Sequence, residues 1–344
     1  MTELNVRFEV VLPKNESLKN IFLRSNWAHF IDPFKYQYVE DVSATHCPVI
    51  RFSTAQEQFN AVDRVLSVIL RSANVSDDTL AAIEWSLNEI SDNVINHAGT
   101  DISGFLQATF FTENKVVEFV VADAGMGIPR SLKEKDNCLA LEKAIQEGVT
   151  RNRETNMGNG LFGSYRIAEV AGGAFSIMSQ SAWLSLTPGG TVRIRPTKSP
   201  YAGTAIAWNM RTDRSDIVAR ALRFSGKSYE PPFVFLDRIS GETGQIHLGL
   251  KAAFPSLGSR NAGARVHTYL RNLLASERIV AVEIDFSGIN IITSSFADEV
   301  FGRLFNEIGP ISFMSRINLS NAGPSILGLI NRAIVQRSAT GPIR

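Results

Sequence analysis

The chain is nearly without cysteine. Its 344 residues include two, Cys47 and Cys138, too far apart to form a CxxC pair. That spacing argues against a disulfide framework or a zinc site and points to a reducing compartment. Each thiol is expected to be a small apolar side chain rather than a nucleophile. Long hydrophobic runs are missing as well: none approaches the roughly 18 residues of a membrane span. Glu3, Arg7 and Glu9 interrupt the opening stretch where a secretory leader would be apolar. Charge of one sign is also lacking. Lys and Arg number 35 against 34 Asp and Glu, a formal net charge of +1 that sets up no general field toward nucleic acid or membranes. Neither is expected as a partner, and the expected location is cytoplasmic. There is no internal repeat, low-complexity tract or GxxxxGK[ST] phosphate loop.

What is present is the composition of a folded protein, 44% hydrophobic and 20% charged, with length for about two domains. Residues 1–50 read as a mixed N-terminal segment, with a strand in NVRFEVVLP and local core from Trp27, Phe30, Phe34, Tyr36 and Tyr38. Residues 51–210 form the first domain, with helices over 55–73 and 77–97. The second helix starts at Ser76-Asp77-Asp78 and carries an apolar stripe of Leu80, Ile83, Leu87, Ile90 and Val94. Strands GFLQATFF and KVVEFVVA follow, then a helical SLKEKDNCLALEKAIQEG, a glycine loop leading into LFGSYRIAEVAGG, and three more strands, AFSIMS, TVRIRP and TAIAWNM. A charged linker over 211–232 ends in Pro231-Pro232. Residues 233–344 alternate strand and helix as a smaller α/β domain.

Three segments carry chemistry. Glu89, Asn93 and His97 recur at four-residue intervals on one helix, beside the apolar stripe and therefore at a border between core and cleft. Asp123-x-Gly125-x-Gly127 follows a strand; its glycines suit a tight turn, and also the close approach of a flat base to a carboxylate. Gly158, Gly160, Leu161 and Gly163 open a helix, either as a plain turn or as a cradle whose N–H groups converge on phosphate. The helical trio reads as a solvated flank with i,i+4 support, or as a Mg²⁺ ligand at Asn93 and a general base at Glu89.

In this order the segments resemble the N, G1 and G2 boxes of the GHKL superfamily, which includes DNA gyrase, heat-shock chaperone ATPases, histidine kinases and MutL. Glu89-x-x-Asp92-Asn93 looks like the gyrase and MutL form, and His97-Ala98 is closer to bacterial anti-sigma factor kinases. The resemblance spans about 55–210. It implies an α/β fold, a two-layer sandwich with helices on one face of a mixed, mainly antiparallel sheet. It further implies ATP and Mg²⁺ as cofactors, adenine on Asp123, metal on Asn93, and Glu89 activating the nucleophile. Residues 129–157 correspond to an ATP lid with Arg151 and Arg153 as phosphate contacts, and Gly203-Thr204 to a Gly-Thr supporting the Asp.

Toward the C-terminus, VEIDFSGINIITSSFADE reads as strand, turn and helix start, with Ser294 or Ser295 as N-cap and Asp298 and Glu299 at the positive helix end. About 233–344 resembles STAS domains, in which a serine at this turn receives a phosphoryl group. Thr293 stands where that family has Asp, and Phe296-Ala297 where Gly-Leu is common. Ser294 and Ser295 are the implied acceptors, and a protein partner through the STAS-like domain is implied, with a homodimer as one assembly state. Three functions stay open: a regulatory ATPase or serine kinase that couples lid closure to the STAS-like domain, a nucleotide switch without turnover, and an interaction scaffold.

Overall fold

A computed structural model describes residues 8–40, 45–97, 103–150, 158–254 and 256–340. Chain contacts divide it into two units: one comprises residues 1–69 and 78–231, the other residues 70–77 and 232–344.

The first unit opens with α1 (Glu16–Arg24) and α2 (Trp27–Ile31), then β1 (His46–Phe52), α3 (Ala55–Ser72) and α4 (Asp77–His97). A hairpin of β2 (Gly104–Phe111) and β3 (Val116–Asp123) precedes α5 (Ile128–Ser131), α6 (Asn137–Ala144) and α7 (Gly160–Val170). A long hairpin of β4 (Ala174–Leu186) and β5 (Val192–Arg211) completes a five-stranded sheet ordered β1-β2-β3-β5-β4. Every neighbouring pair is antiparallel, so the mixed sheet implied by the resemblance gives way to an antiparallel one. Alternation decides the layers. Val117, Phe119, Val121 and Asp123 of β3 are buried while Glu118 and Val120 face away. Phe119 stacks on Trp208 of β5 at 4.7 Å, and the Trp208 indole donates to the Ser164 carbonyl of α7. The apolar stripe predicted on α4 is buried throughout, from Leu80 to Val94.

The residues beside Leu106 and Ala108 on β2 point to the opposite face. There Phe105 meets Phe30 edge-on at 5.3 Å and Gln107 accepts from the Trp27 indole at 2.7 Å. The N-terminal segment therefore covers the back of the sheet. Two expectations for it fail: residues 8–13 form no strand, and Phe34 and Tyr38 are 81% and 37% exposed instead of core. Cys47 is fully buried, which pushes its thiol up to about 12, as an inert small residue requires; Cys138 is half-buried.

The segment expected as a linker is structured. It holds α8 (Ile217–Ala221) and a short hairpin of β6 (Arg223–Phe224) and β7 (Lys227–Ser228). Asp78 explains part of this: its carboxylate accepts from the Ile217 and Val218 N–H groups at 2.7 and 3.0 Å. A side chain expected to favour the start of α4 thus caps α8.

The second unit contains α9 (Val234–Ser240), β8 (Gln245–Gly249), α10 (Leu250–Ala253), α11 (Arg260–Ala275) and β9 (Ala281–Asp285). After these come α12 (Ser294–Ala297), a π turn (Asp298–Gly302), α13 (Arg303–Ile308), α14 (Pro310–Arg316), β10 (Ile317–Ser320) and α15 (Pro324–Thr340). Its sheet is parallel, ordered β10-β9-β8. Buried Ile246, Leu248, Val282 and Ile284 pack it beneath Val266, Leu270 and Leu273 of α11. Asn272 ties the α3–α4 connection into this unit, donating to the Leu70 and Ala73 carbonyls at 2.8 and 2.6 Å. No described helix is long and apolar enough to cross a membrane.

Candidate functional site

A cavity of about 380 Å³ opens between α4, the end of β3, the middle of β5 and the start of α7. Trp85, Glu89, Asp92, Asn93 and Asn96 line it from one face of α4, at offsets of 0, 4, 7, 8 and 11, the spacing that returns a helix to the same side. Asp123 lines it from the end of β3, Gly127 from the turn that follows, Thr204 from the interior of β5 where it pairs with Asp123, and Gly158, Asn159, Gly160 and Leu161 from the entry to α7. The structure thus brings Glu89, Asn93, Asp123, Gly127, Gly158, Gly160, Leu161 and Thr204 to one cavity. Gly125 and Gly163 are not among the residues that line it. Arg151 and Arg153 lie outside the described residues, as does the side chain of His97. Ser294 and Ser295 belong to the second unit.

Asp123 ends β3 with its side chain 7% exposed. Its Oδ1 accepts from the Gly125 N–H at 2.7 Å. Burial pushes this carboxyl above the usual range, while the Gly125 and Thr204 N–H groups pull it back. A support unreadable from the motif holds the turn in place. Ser179 Oγ donates to the Gly203 carbonyl, accepts from the Ile128 N–H and lies 3.2 Å from Thr204 Oγ1. Gln180 donates to the Met126 carbonyl at 3.1 Å and Tyr201 to the Asp123 carbonyl at 2.8 Å. Gly127 has φ +77, and a Cβ there would come within 2.8 Å of Ser179 Oγ, so backbone and space both call for glycine.

Glu89 sits half-buried against Gly160, in the place a Cβ on that residue would occupy. Burial, and then the Asp92 carboxylate one turn on, push the Glu89 carboxyl up to about 7. A carboxyl held there divides between acid and base near neutrality, as a proton-transfer group requires. At the same place α7 begins. Its first N–H groups have no partner within the helix, and their dipole favours an anion.

This donor set fits a nucleoside triphosphate. A buried carboxylate suits a base amine, and a helix N-terminus reached through glycine suits phosphate. Among the described residues no group of three or more His, Cys, Asp or Glu could hold a metal by itself. A single amide at Asn93 suits Mg²⁺, which takes most of its ligands from phosphates and waters.

Comparison with known proteins finds two families along the chain. Residues 52–169 match the histidine kinase-like ATPase domain, and residues 262–327 match a STAS-like domain of unknown function. The chain therefore carries a GHKL-type ATP-binding domain fused to a smaller α/β STAS-like domain. No curated protein matches it.

Proposed function

We propose that the first unit binds ATP with Mg²⁺ in this cavity and acts as a regulatory ATPase or protein-serine kinase whose nucleotide state is relayed to the STAS-like domain. One observation carries the reading: Glu89, Asn93, Asp123, Gly127 and Gly160, from three separate segments, line one cavity of about 380 Å³. Asp123 accepts the exocyclic amine of adenine, with Thr204 and Gly125 steadying it. The N–H groups around Gly158, Gly160 and Leu161 receive phosphate oxygens. Asn93 offers one oxygen to the metal, which when bound neutralises charge on the phosphates. Glu89 accepts a proton from the attacking hydroxyl. Phosphoryl transfer needs positioning and charge stabilisation above all, so the same residues serve either water or a serine hydroxyl as nucleophile.

A scaffold function would leave the convergence of Glu89, Asn93 and Asp123 without purpose. Turnover separates an enzyme from a binding-only switch. With γ-labelled ATP, wild-type protein should release labelled phosphate or transfer it to protein, and Glu89→Ala should lower the rate by about a hundredfold, a typical loss for a removed general base. Equal rates would overturn the role of Glu89. Binding without release or transfer would leave the switch as the function. A protein partner is assigned to the STAS-like domain.

A further inference from the structure

The cavity has a wall that none of the three motifs supplies. Phe224 and Tyr229, both beyond the residues matched to the ATPase domain, line it together with Glu89 and Gly160. Phe224 lies 6.4 Å from the Trp85 ring and 6.3 Å from Phe162, and Tyr229 packs on Phe224 at 5.7 Å. Trp85 is one turn before Glu89 on α4, and Phe162 is in the first turn of α7. The aromatic cluster therefore encloses the Glu89 end of the cavity.

The segment bearing these rings is fastened at three points. Asp78 caps α8 through the Ile217 and Val218 N–H groups. Leu222 fills the space beside Gly163, where a Cβ would come within 2.9 Å of it and would overlap Trp85. Glu147, three residues beyond α6 and next to Gly148, whose N–H donates to Asn159 Oδ1 of the glycine loop at 3.2 Å, accepts from both the N–H and the Oγ of Ser225 at 2.5 and 3.2 Å. The Tyr229 N–H then donates to the Leu222 carbonyl at 2.8 Å, which closes the hairpin. Only Glu230 and Pro231 follow before the second unit begins.

We infer that residues 217–229 complete the nucleotide site, with Phe224 and Tyr229 as ligand-contacting walls and the Glu147–Ser225 pair as the latch that makes this segment register whether a triphosphate is bound. The inference rests on the nucleotide reading above. The desolvation that lifts the Glu89 carboxyl accords with an aromatic enclosure.

Hydrogen exchange on the full chain, with and without a non-hydrolysable ATP analogue, tests it without a variant. The analogue should slow exchange at residues 123–128 and at 222–229 alike. Phe224→Ala should weaken analogue binding by about tenfold, the scale of one lost apolar contact surface, while Phe224→Leu recovers most of the affinity and Glu147→Ala abolishes the protection at 222–229 but retains it at 123–128. Protection confined to 123–128, with unchanged affinity in Phe224→Ala, would overturn the inference and leave the nucleotide reading standing. No protection at 123–128 would remove both.

Discussion

The Glu89 carboxylate lies directly against the Cα of Gly160, in the volume that any other residue would need for its Cβ. One contact thus joins the acid on α4 to the first residue of α7. The positive end of α7 favours the ionised acid, by about 0.3–1 kcal/mol for a typical site. Burial and Asp92 outweigh it, because the carboxyl still rises to about 7.

Gly160→Ala should therefore displace the Glu89 carboxyl, the free end of a flexible side chain, and cost about 1 kcal/mol, the low end of the usual penalty of overpacking. The origin is testable by a double-mutant cycle. In a Glu89→Ala background the same substitution should cost much less, since the overlapping atoms are gone. Chemical denaturation of the four proteins gives the coupling. Additive costs would show that Gly160 is required by its backbone and not by Glu89.

The pH dependence of Glu89 follows from the direction of its shift. The folded carboxyl, at about 7 against the usual 4.5, keeps a proton that the unfolded chain releases. Its contribution to stability is full below pH 4.5 and is lost as pH rises through 7, by up to about 3 kcal/mol from the size of the shift. Wild type should lose stability relative to Glu89→Gln over this window, measured as the urea midpoint at each pH. Turnover should move the other way, climbing about tenfold per unit below pH 7 and levelling above, because the base must be ionised. Parallel stability profiles for the two proteins would contradict the shift.

How much of this was legible beforehand depends on what carried the information. That Glu89, Asn93, Asp123, Gly158 and Gly160 face one cavity was readable because acids, amides and glycines at fixed offsets have few other uses together. Ser179, Gln180 and Tyr201 were not. They reach the Asp123 turn from strands more than fifty residues away, and a serine on a strand has no distinguishing pattern. Phe224 and Tyr229 were hidden by composition. RTDRSDIVARALRFSGKSYEPP looks like a charged linker until Asp78 is seen to cap α8. The helix start read in TSSFADE runs from α12 straight into a π turn at Asp298–Gly302. Asp298 and Glu299 are there drawn into pairs with Arg337, Arg260 and Arg303 instead of serving a helix end.

Asp123→Asn should weaken ATP binding by about ten- to a hundredfold, as loss of a charge-assisted hydrogen bond costs about 1.5–3 kcal/mol. The amide oxygen can still accept from the Gly125 N–H, so the turn and the melting temperature should change little. Calorimetry with ATP, beside a melting curve, distinguishes the two effects. Unchanged affinity would defeat the adenine assignment.

The turn at residues 293–295 yields a prediction in which stability and chemistry separate. Ser294 or Ser295 was expected to cap the helix, but Thr293 does so: its Oγ1 accepts from the Phe296 N–H at 3.2 Å and lies 3.1 Å from Ser295 Oγ. Thr293 has the extended backbone of an N-cap, with φ −87 and ψ 156, which leaves Ser294 as the first helical residue with its side chain exposed. Thr293→Ala should cost about 1 kcal/mol in urea denaturation, the usual value of a lost cap. Ser294→Ala should cost almost nothing, since that hydroxyl is not needed to start the helix. If the γ-phosphoryl group of ATP passes to a serine of the same chain, leaving ADP, the label should fall on Ser294 or Ser295 and vanish in the double alanine variant. Thr293→Ala should keep the label at its destabilisation cost. Label persisting in the double variant would rule both serines out, and equal destabilisation by Thr293→Ala and Ser294→Ala would mean that the cap is not where the hydrogen bond at Thr293 puts it.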